Sequence, residues 1–270
     1  MYFFLCNLAF IDICTSSVSQ PKLLSMLSRG DNTISFVACM TQLHFFLSLA
    51  CAEFVSLTVM AFDRYVAICY PLRYLIVINR SVCVLLAITS WIFSFSVTLI
   101  HTLLISHLPF CRSWAIDHFF CDPSLLLDLS CANTFFIEKL TYVLDSVIGL
   151  PAFALTVASY TYIISTIGKL RSTVGRKKAF STFTSRITVV ILFYGTTLIT
   201  YMMPISQYSS TISKPFSFLY TALMPLINPF IYTLRNKDIK QHIASKIEIN
   251  RNNTIGRCSA GAKMDANVCL

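Results

Sequence analysis

Long apolar stretches alternate with short polar ones along almost the whole chain. Six of these stretches contain two charged side chains at most, and each is long enough to cross a bilayer as an α-helix. The predicted membrane spans are 1–27, 36–62, 82–107, 140–167, 187–212 and 215–234. The pattern therefore predicts an all-α fold, a polytopic bundle of transmembrane helices.

The pattern changes after the last predicted span. Ile239, Ile243 and Ile247 recur at every fourth position, and lysines occupy other positions of the helical wheel. This arrangement predicts a short amphipathic helix over 236–247, lying on the inner membrane face. Residues 1–247 would then form the membrane domain, and the polar residues 248–270 a disordered cytoplasmic tail.

The basic residues predict the orientation of the chain in the membrane. Hydrophobic residues make up 56% of the sequence and charged residues only 12%, which excludes an ordinary soluble domain. If the Asp63-Arg64 end of the second span is cytoplasmic, then 16 of the 21 lysines and arginines lie on that side. We therefore expect a multi-pass protein of the plasma membrane with a cytoplasmic C-terminus. The net charge of +9 reflects this asymmetry, so we expect no nucleic-acid partner.

The loop from Lys169 to Arg186 is the most basic of the predicted inner loops. Arg176, Lys177 and Lys178 stand together just before a run rich in hydroxyl side chains. One interpretation is a contact with a cytoplasmic partner. The other is an anchor to anionic membrane lipids, worth about 1 kcal/mol per basic residue.

Three acidic residues lie within the predicted spans. Asp12 is in the first span and Glu53 is at a comparable depth in the second, while Asp145 is the single charge of the fourth. Two neighbouring carboxylates do not both ionise cheaply, so either one holds a proton or a cation lies between them. For Asp12 and Glu53 a Na⁺ site is the favoured interpretation. The alternative is two separate acids with structural hydrogen bonds.

Four cysteines are predicted to lie on the outer side of the membrane, where disulfide bonds can form. Cys39 is at the outer end of the second span, and Cys111, Cys121 and Cys131 are in the loop after the third. Four cysteines allow three pairings, and their positions do not rank these. His118, three residues before Cys121, permits a metal site, but oxidised cysteines are not metal ligands.

Two further spans contain residues of structural interest. Trp91 lies in the uncharged third span and is predicted to be a packing residue. Asn228 and Pro229 are adjacent in the last span, with Tyr232 one turn later. A proline frees backbone groups and an asparagine can bind them, so this segment is predicted to bend and to take two arrangements. Such a bend suits a conformational switch.

Five motifs occur together in a fixed order between the spans and at their ends. They are Met60-Ala-Phe-Asp-Arg-Tyr-Val-Ala-Ile-Cys69, His118-Phe-Phe-Cys-Asp122, Lys178-Ala-Phe-Ser-Thr182, Leu192-Phe-Tyr-Gly-Thr196 and Pro225-Leu-Ile-Asn-Pro-Phe-Ile-Tyr232. With these motifs the chain resembles the odorant receptors of the rhodopsin-like G-protein-coupled class. The resemblance implies a bundle of the seven-helix receptor type, with six spans in this chain and the family's first helix missing.

The resemblance also implies a function. A receptor of this family binds a small volatile odorant within the helix bundle and activates a stimulatory heterotrimeric G protein, which raises cyclic AMP in the perception of smell. The residues expected to line the ligand pocket are Phe46, Leu47, Ala50, Tyr194, Thr197, Leu198 and Tyr201. The residues expected to form the switch and to couple to the G protein are Asp63, Arg64, Tyr65, Asn228, Pro229 and Tyr232.

Further residues match the family's structural sites. Asp12 and Glu53 match its sodium site, so Na⁺ is the one cofactor expected. The resemblance implies disulfide bonds Cys39–Cys121 and Cys111–Cys131.

Other functional classes are less favoured. A chain without the family's first helix could be a receptor fragment that does not signal, which is the main alternative. A transporter or channel would be favoured by internal repeats or further charges in the spans, and neither is present. We expect no enzyme activity, because the five histidines have no catalytic spacing and the sequence has no glycine-rich phosphate loop.

Overall fold

The computed structural model of the chain describes residues 2–30, 33–111, 116, 118–169, 187, 190–191, 194–195, 218–223 and 225. We call these the described residues. Their helices, in chain order, are α1 (Tyr2–Arg29), α2 (Phe36–Cys69), α3 (Tyr74–Val77), α4 (Arg80–Ser106), α5 (Pro123–Asp128) and α6 (Phe135–Gly168). A 3-10 turn, Pro71–Arg73, joins α2 to α3, and Leu219–Leu223 form a π-helical segment.

Four of the helices in the described part of the chain are long and apolar enough to span a membrane. They are α1, α2, α4 and α6. This result confirms the all-α, transmembrane character of the fold. α2 and α6 have 34 residues each, so they extend beyond the predicted spans 36–62 and 140–167. Most of the predicted spans 187–212 and 215–234 lies outside the described residues, as do the amphipathic helix 236–247 and the tail 248–270.

Local sequence signals explain where several helices begin and end. Ser35 caps α2 by accepting a hydrogen bond from the amide of Ala38, and Asn79 caps α4 by accepting one from the amide of Val82. Asp122 does the same for α5. At the end of α1, Gly30 adopts a φ of 66°, a conformation that glycine reaches without strain.

α2 is the central helix of the described bundle. It contacts α1, α4 and α6 along its length, and more of its residues are buried than those of any other described helix. In the main hydrophobic core, Phe4 and Leu8 of α1 pack with Phe46, Leu57 and Met60 of α2. Both the outer and the inner end of α2 carry predicted functional residues, so its packing positions both sites.

The outer faces of the long helices expose large apolar side chains, as expected where lipid rather than water surrounds them. Examples are Leu27, Ile92, Val147 and Tyr162.

Polar contacts fix the helices relative to one another. The indole N–H of Trp91 in α4 donates to Asn7 Oδ1 in α1 at 2.9 Å, and the Asn7 amide donates to Ser56 Oγ in α2 at 3.1 Å. The Asn7 side chain therefore joins α1, α2 and α4. Trp91 packs as predicted, against Phe10 and Phe95, but it also makes a directional bond that the sequence pattern did not indicate.

Candidate ligand pocket and signalling residues

The outer half of α2 provides the first wall of the candidate pocket. Phe46 is buried, and its ring centroid lies 5.1 Å from that of Phe120 in the outer loop. Leu47 and Ala50 are half-buried, and they pack against the edge of the core that contains Phe46. These three predicted pocket residues therefore occupy one region of α2. Thr197, Leu198 and Tyr201 lie outside the described residues.

Tyr194 lies beneath this region and touches two helices. Its hydroxyl oxygen is 3.4 Å from Thr58 Oγ1 in α2 and 3.4 Å from Thr156 Oγ1 in α6. Its ring lies between Phe54 of α2 and Phe153 of α6, with centroid distances of 5.3 Å to each. The side chain is buried. Movement of Tyr194 would therefore change the contact between α2 and α6.

The outer loop is held over the bundle by a disulfide bond to α2. Cys39 is bonded to Cys121, with a Cα–Cα distance of 5.6 Å. The Cys121 amide also donates to Gln42 Oε1 at 3.3 Å, which attaches the loop to α2 a second time. Since the sulfur of Cys121 is in a disulfide, it is not a metal ligand. His118 instead lies against the rings of Phe119 and Phe120.

A second disulfide bond closes the outer loop on itself. It joins Cys111 to Cys131, with a Cα–Cα distance of 5.9 Å. Beside it, Phe110 and Ser130 form an isolated antiparallel bridge, and the Cys131 amide donates to the carbonyl of Pro109. The pairing is the one that the family resemblance implied.

At the inner end of α2, Asp63 is held by the following loop. The Tyr74 hydroxyl donates to Asp63 Oδ1 at 2.9 Å, whereas Arg64 Nε is 3.9 Å from Asp63 Oδ2. Burial raises the pKa of Tyr74 to about 12, and the hydrogen bond to the Asp63 carboxylate contributes to this rise. Tyr65 packs its ring against Tyr70 and Tyr162.

Three predicted switch residues, Asn228, Pro229 and Tyr232, lie outside the described residues.

The loop that holds Asp63 also exposes apolar side chains at the inner end of the bundle. Leu72 is 96% exposed, and Leu75 and Ile76 are also exposed. The sequence analysis missed these residues, because a short apolar run in a loop has no periodicity. Their exposure became visible only when the fold placed them beyond the end of α2.

The two acids predicted to bind Na⁺ are both buried. Asp12 in α1 is 2% exposed, and Glu53 in α2 is 3% exposed. The preceding residues, Ile11 and Ala52, belong to one small apolar cluster, so Asp12 and Glu53 lie at a similar depth on adjacent helices. No group of three His, Cys, Asp or Glu side chains converges among the described residues. Within the described part of the chain, a cation at this position would rely on these two acids together with neutral oxygens.

Comparison with known proteins identifies the family. The sequence profile of the olfactory receptor family matches residues 1–249. The chain belongs to the olfactory receptor family. It is an odorant receptor of the G-protein-coupled, seven-helix membrane type, which confirms the resemblance and the fold class inferred from its motifs.

Individual olfactory receptors are similar over most of the chain. Olfactory receptor 6J1 of Homo sapiens is 47% identical over 240 residues, which cover 89% of this chain and 69% of that receptor. Olfactory receptor 6B9 of Mus musculus is 42% identical over 256 residues, with coverage of 95% and 81%. Olfactory receptor 1C1 of Homo sapiens is 42% identical over 241 residues, with coverage of 89% and 77%. All three relatives are olfactory receptors.

Proposed function

We propose that this olfactory receptor binds a small volatile odorant between its helices and activates a stimulatory heterotrimeric G protein, which raises cyclic AMP at the plasma membrane. The observation that carries this proposal is the position of Tyr194. It lies below the candidate pocket, and its hydroxyl is at equal distance from Thr58 and Thr156. An odorant that displaces Tyr194 would change how α2 and α6 pack and so affect Arg64 at the inner end of α2.

The candidate pocket has the composition expected for a volatile ligand. Phe46, Leu47 and Ala50 present apolar atoms, and the hydroxyl of Tyr194 provides a polar group at the base. Small-molecule sites are generally apolar, with a few polar groups that fix the ligand's orientation. The family resemblance implies that Thr197, Leu198 and Tyr201 complete the pocket.

The inner face has a surface suited to a G protein. Leu72 is almost fully exposed and lies two residues before Tyr74, whose hydroxyl donates to Asp63. A group of exposed apolar side chains, here Leu72, Leu75 and Ile76, is typical of an interaction site. We infer that Leu72 enters an apolar depression on the G protein. Asn228, Pro229 and Tyr232 would move with Arg64, and the basic loop 169–186 would contact the G protein or anionic lipid.

We further propose a Na⁺ ion at Asp12 and Glu53. Two buried carboxylates on adjacent helices repel each other if both are ionised, and a small cation would offset that repulsion. Carboxylate oxygens suit a hard cation. Replacing K⁺ by Na⁺ at constant ionic strength should raise the melting temperature of the receptor, and Asp12→Asn or Glu53→Gln should remove the difference. Equal melting temperatures in Na⁺ and K⁺ would contradict the site.

The proposed function is tested by cyclic AMP measurements in cultured cells exposed to an odorant panel. Because the chain covers 69% to 81% of the length of the relatives described above, it is compared with the same chain preceded by the first helix of one of them. Surface delivery is measured in parallel. We expect an odorant response that Leu72→Asp abolishes and Leu72→Ile preserves, with surface amounts unchanged. Delivery to the surface without any response, in both chains, would favour a receptor that does not signal.

A further inference from the structure

One acidic residue, Asp145, lies on the inward-facing side of α6. Thr141 precedes it by four residues, and Ala152 and Thr156 follow it by seven and eleven. These separations correspond to one, two and three helical turns, so the four residues share one face. Thr141 contacts α4 and Thr156 contacts Tyr194, which shows that this face is turned towards the bundle.

Along this face of α6, the middle is more exposed than the flanking positions. Ile137 above and Ala152 below are buried, whereas Asp145 is exposed. Asp145 also lies near the buried Cys51 of α2. An exposed side chain on the face of α6 that is turned towards the bundle lines the space between the helices.

Other contacts define the limits of this space. On the outer side, His101 Nε2 of α4 lies 2.7 Å from Thr141 Oγ1, one turn before Asp145. On the inner side, Tyr194 contacts Thr156 of α6. Across from α6, Leu47 lies one turn before Cys51 on α2 and is half-buried. The space next to Asp145 is therefore the same one in which we propose that the odorant binds.

No lysine or arginine among the described residues forms an ion pair with Asp145. Lys22 in the first predicted span is the one lysine or arginine within the six predicted spans. The nearest basic residue along α6 is Lys139, and its ammonium group lies over the Phe135 ring, towards the outer end of the helix. A carboxylate in an intramembrane cavity is costly without a positive partner. Without such a partner the carboxyl group would hold a proton, whereas a cationic ligand would stabilise its ionised form.

We propose that Asp145 binds the ammonium group of a volatile amine, so that the receptor is selective for cationic odorants. Alkylamines, like the lysine side chain, are protonated at neutral pH. The ammonium would donate hydrogen bonds to the Asp145 carboxylate while the hydrocarbon part lies against Leu47 and Ala50. Charge-assisted hydrogen bonds are strong and short, which would favour an amine over a neutral analogue of the same shape. This inference rests on the proposed function, since it assigns a ligand class to the same pocket.

The test compares matched ligands on the purified 270-residue chain in lipid nanodiscs. Primary alkylamines and alcohols of equal carbon number are titrated, and apparent affinities are obtained from the rise in melting temperature. Three variants are compared with the wild type: Asp145→Asn removes the charge at constant size, Asp145→Glu keeps the charge, and Glu138→Gln removes a charge elsewhere on α6. Melting of each variant without ligand verifies that it is folded.

We expect at least one amine to bind more tightly than its alcohol. Asp145→Asn should weaken amine binding by about tenfold or more and leave alcohol binding unchanged. Asp145→Glu and Glu138→Gln should keep the preference. The inference is wrong if no amine binds better than its alcohol, or if the preference survives in Asp145→Asn. If alcohols bind and amines do not, the amine assignment fails but the odorant-binding function stands. If neither amines nor alcohols bind, both the amine assignment and the odorant-binding function fail.

Discussion

The Asp63 carboxylate at the inner end of α2 has two partners at different distances. Tyr74 donates a hydrogen bond at 2.9 Å, while the Arg64 guanidinium is 3.9 Å away. A charge-assisted hydrogen bond at the shorter distance is the stronger contact. Tyr74 therefore tethers the loop that carries Leu72 to the helix that carries Arg64, and the two parts of the inner face are mechanically connected.

Replacing Tyr74 tests this tether. Tyr74→Phe keeps the ring and removes the donor to a buried carboxylate, so the free energy of unfolding should fall by about 1.5–3 kcal/mol. Chemical denaturation in detergent micelles measures the change. Tyr162→Phe, on an exposed ring in α6, is the control and should have little effect. A Tyr74→Phe variant as stable as the wild type would contradict the role of this bond.

The same bond predicts a dependence on pH. The raised pKa of Tyr74 means that the folded protein holds this proton more tightly than the unfolded chain does. Its contribution to stability is therefore fully present below the unfolded value of about 10 and is lost as the pH rises through about 12. The stability difference between wild type and Tyr74→Phe should be constant near neutral pH and shrink between about pH 10 and 12. A difference that shrinks on acidification towards neutral pH would refute this assignment.

Trp91 provides a second prediction for a single side chain. Trp91→Phe removes the donor to Asn7 Oδ1 but keeps an aromatic ring against Phe95. Asn7 Oδ1, which lies between helices, would lose its donor, so we expect the free energy of unfolding to fall by about 1–3 kcal/mol. Trp91→Phe should also weaken the contact of α4 with α1. Thermal unfolding in nanodiscs checks the prediction, with the lipid-facing Phe93→Leu as the control.

At the level of elements, the outer loop depends on α2 for its position. The disulfide bond Cys39–Cys121 and the bond from the Cys121 amide to Gln42 attach it, and Phe120 then packs on Phe46. In the described part of this loop, α5 is the one helix. The position of the loop over the pocket therefore depends on a few contacts between residues that are far apart in the sequence.

Removing the disulfide bond should affect folding strongly. The bond closes a chain segment of 82 residues, and loss of a native disulfide from such a loop typically costs about 2–5 kcal/mol. Cys39→Ser should lower the melting temperature and reduce the amount of receptor at the cell surface. Cys6→Ser, at a free and exposed cysteine of α1, should do neither. Equal surface amounts for both variants would show that the bond is dispensable.

At the scale of the whole molecule, the charge distribution predicts the orientation of the chain in the membrane. Sixteen of the 21 basic residues lie on one side of the predicted spans. Asn79 caps α4 at that side and belongs to the potential glycosylation site Asn79-Arg80-Ser81. A cytoplasmic site is not glycosylated.

Glycosylation at sites on the two sides of the membrane tests the predicted orientation of the chain. Asp128→Asn creates an Asn-Leu-Ser site at the end of α5 in the outer loop. We expect this variant to gain one glycan in mammalian cells, seen as a glycosidase-sensitive mass shift, whereas the wild type should have none at Asn79. The opposite pattern, a glycan at Asn79 in the wild type, would mean that the orientation is reversed.

The sequence by itself determined the helical membrane class, four of the long helices and the family, because these depend on apolar length and on motifs that are local in the chain. It also indicated Asp12, Glu53 and Asp63, since charges within or next to apolar spans are conspicuous. Only the tertiary structure brought Tyr194 between α2 and α6, linked Trp91 to Asn7, and set Tyr74 on Asp63. It also turned Asp145 towards an internal space. These contacts join residues far apart in the chain, and helix packing, which local periodicity does not encode, decides them.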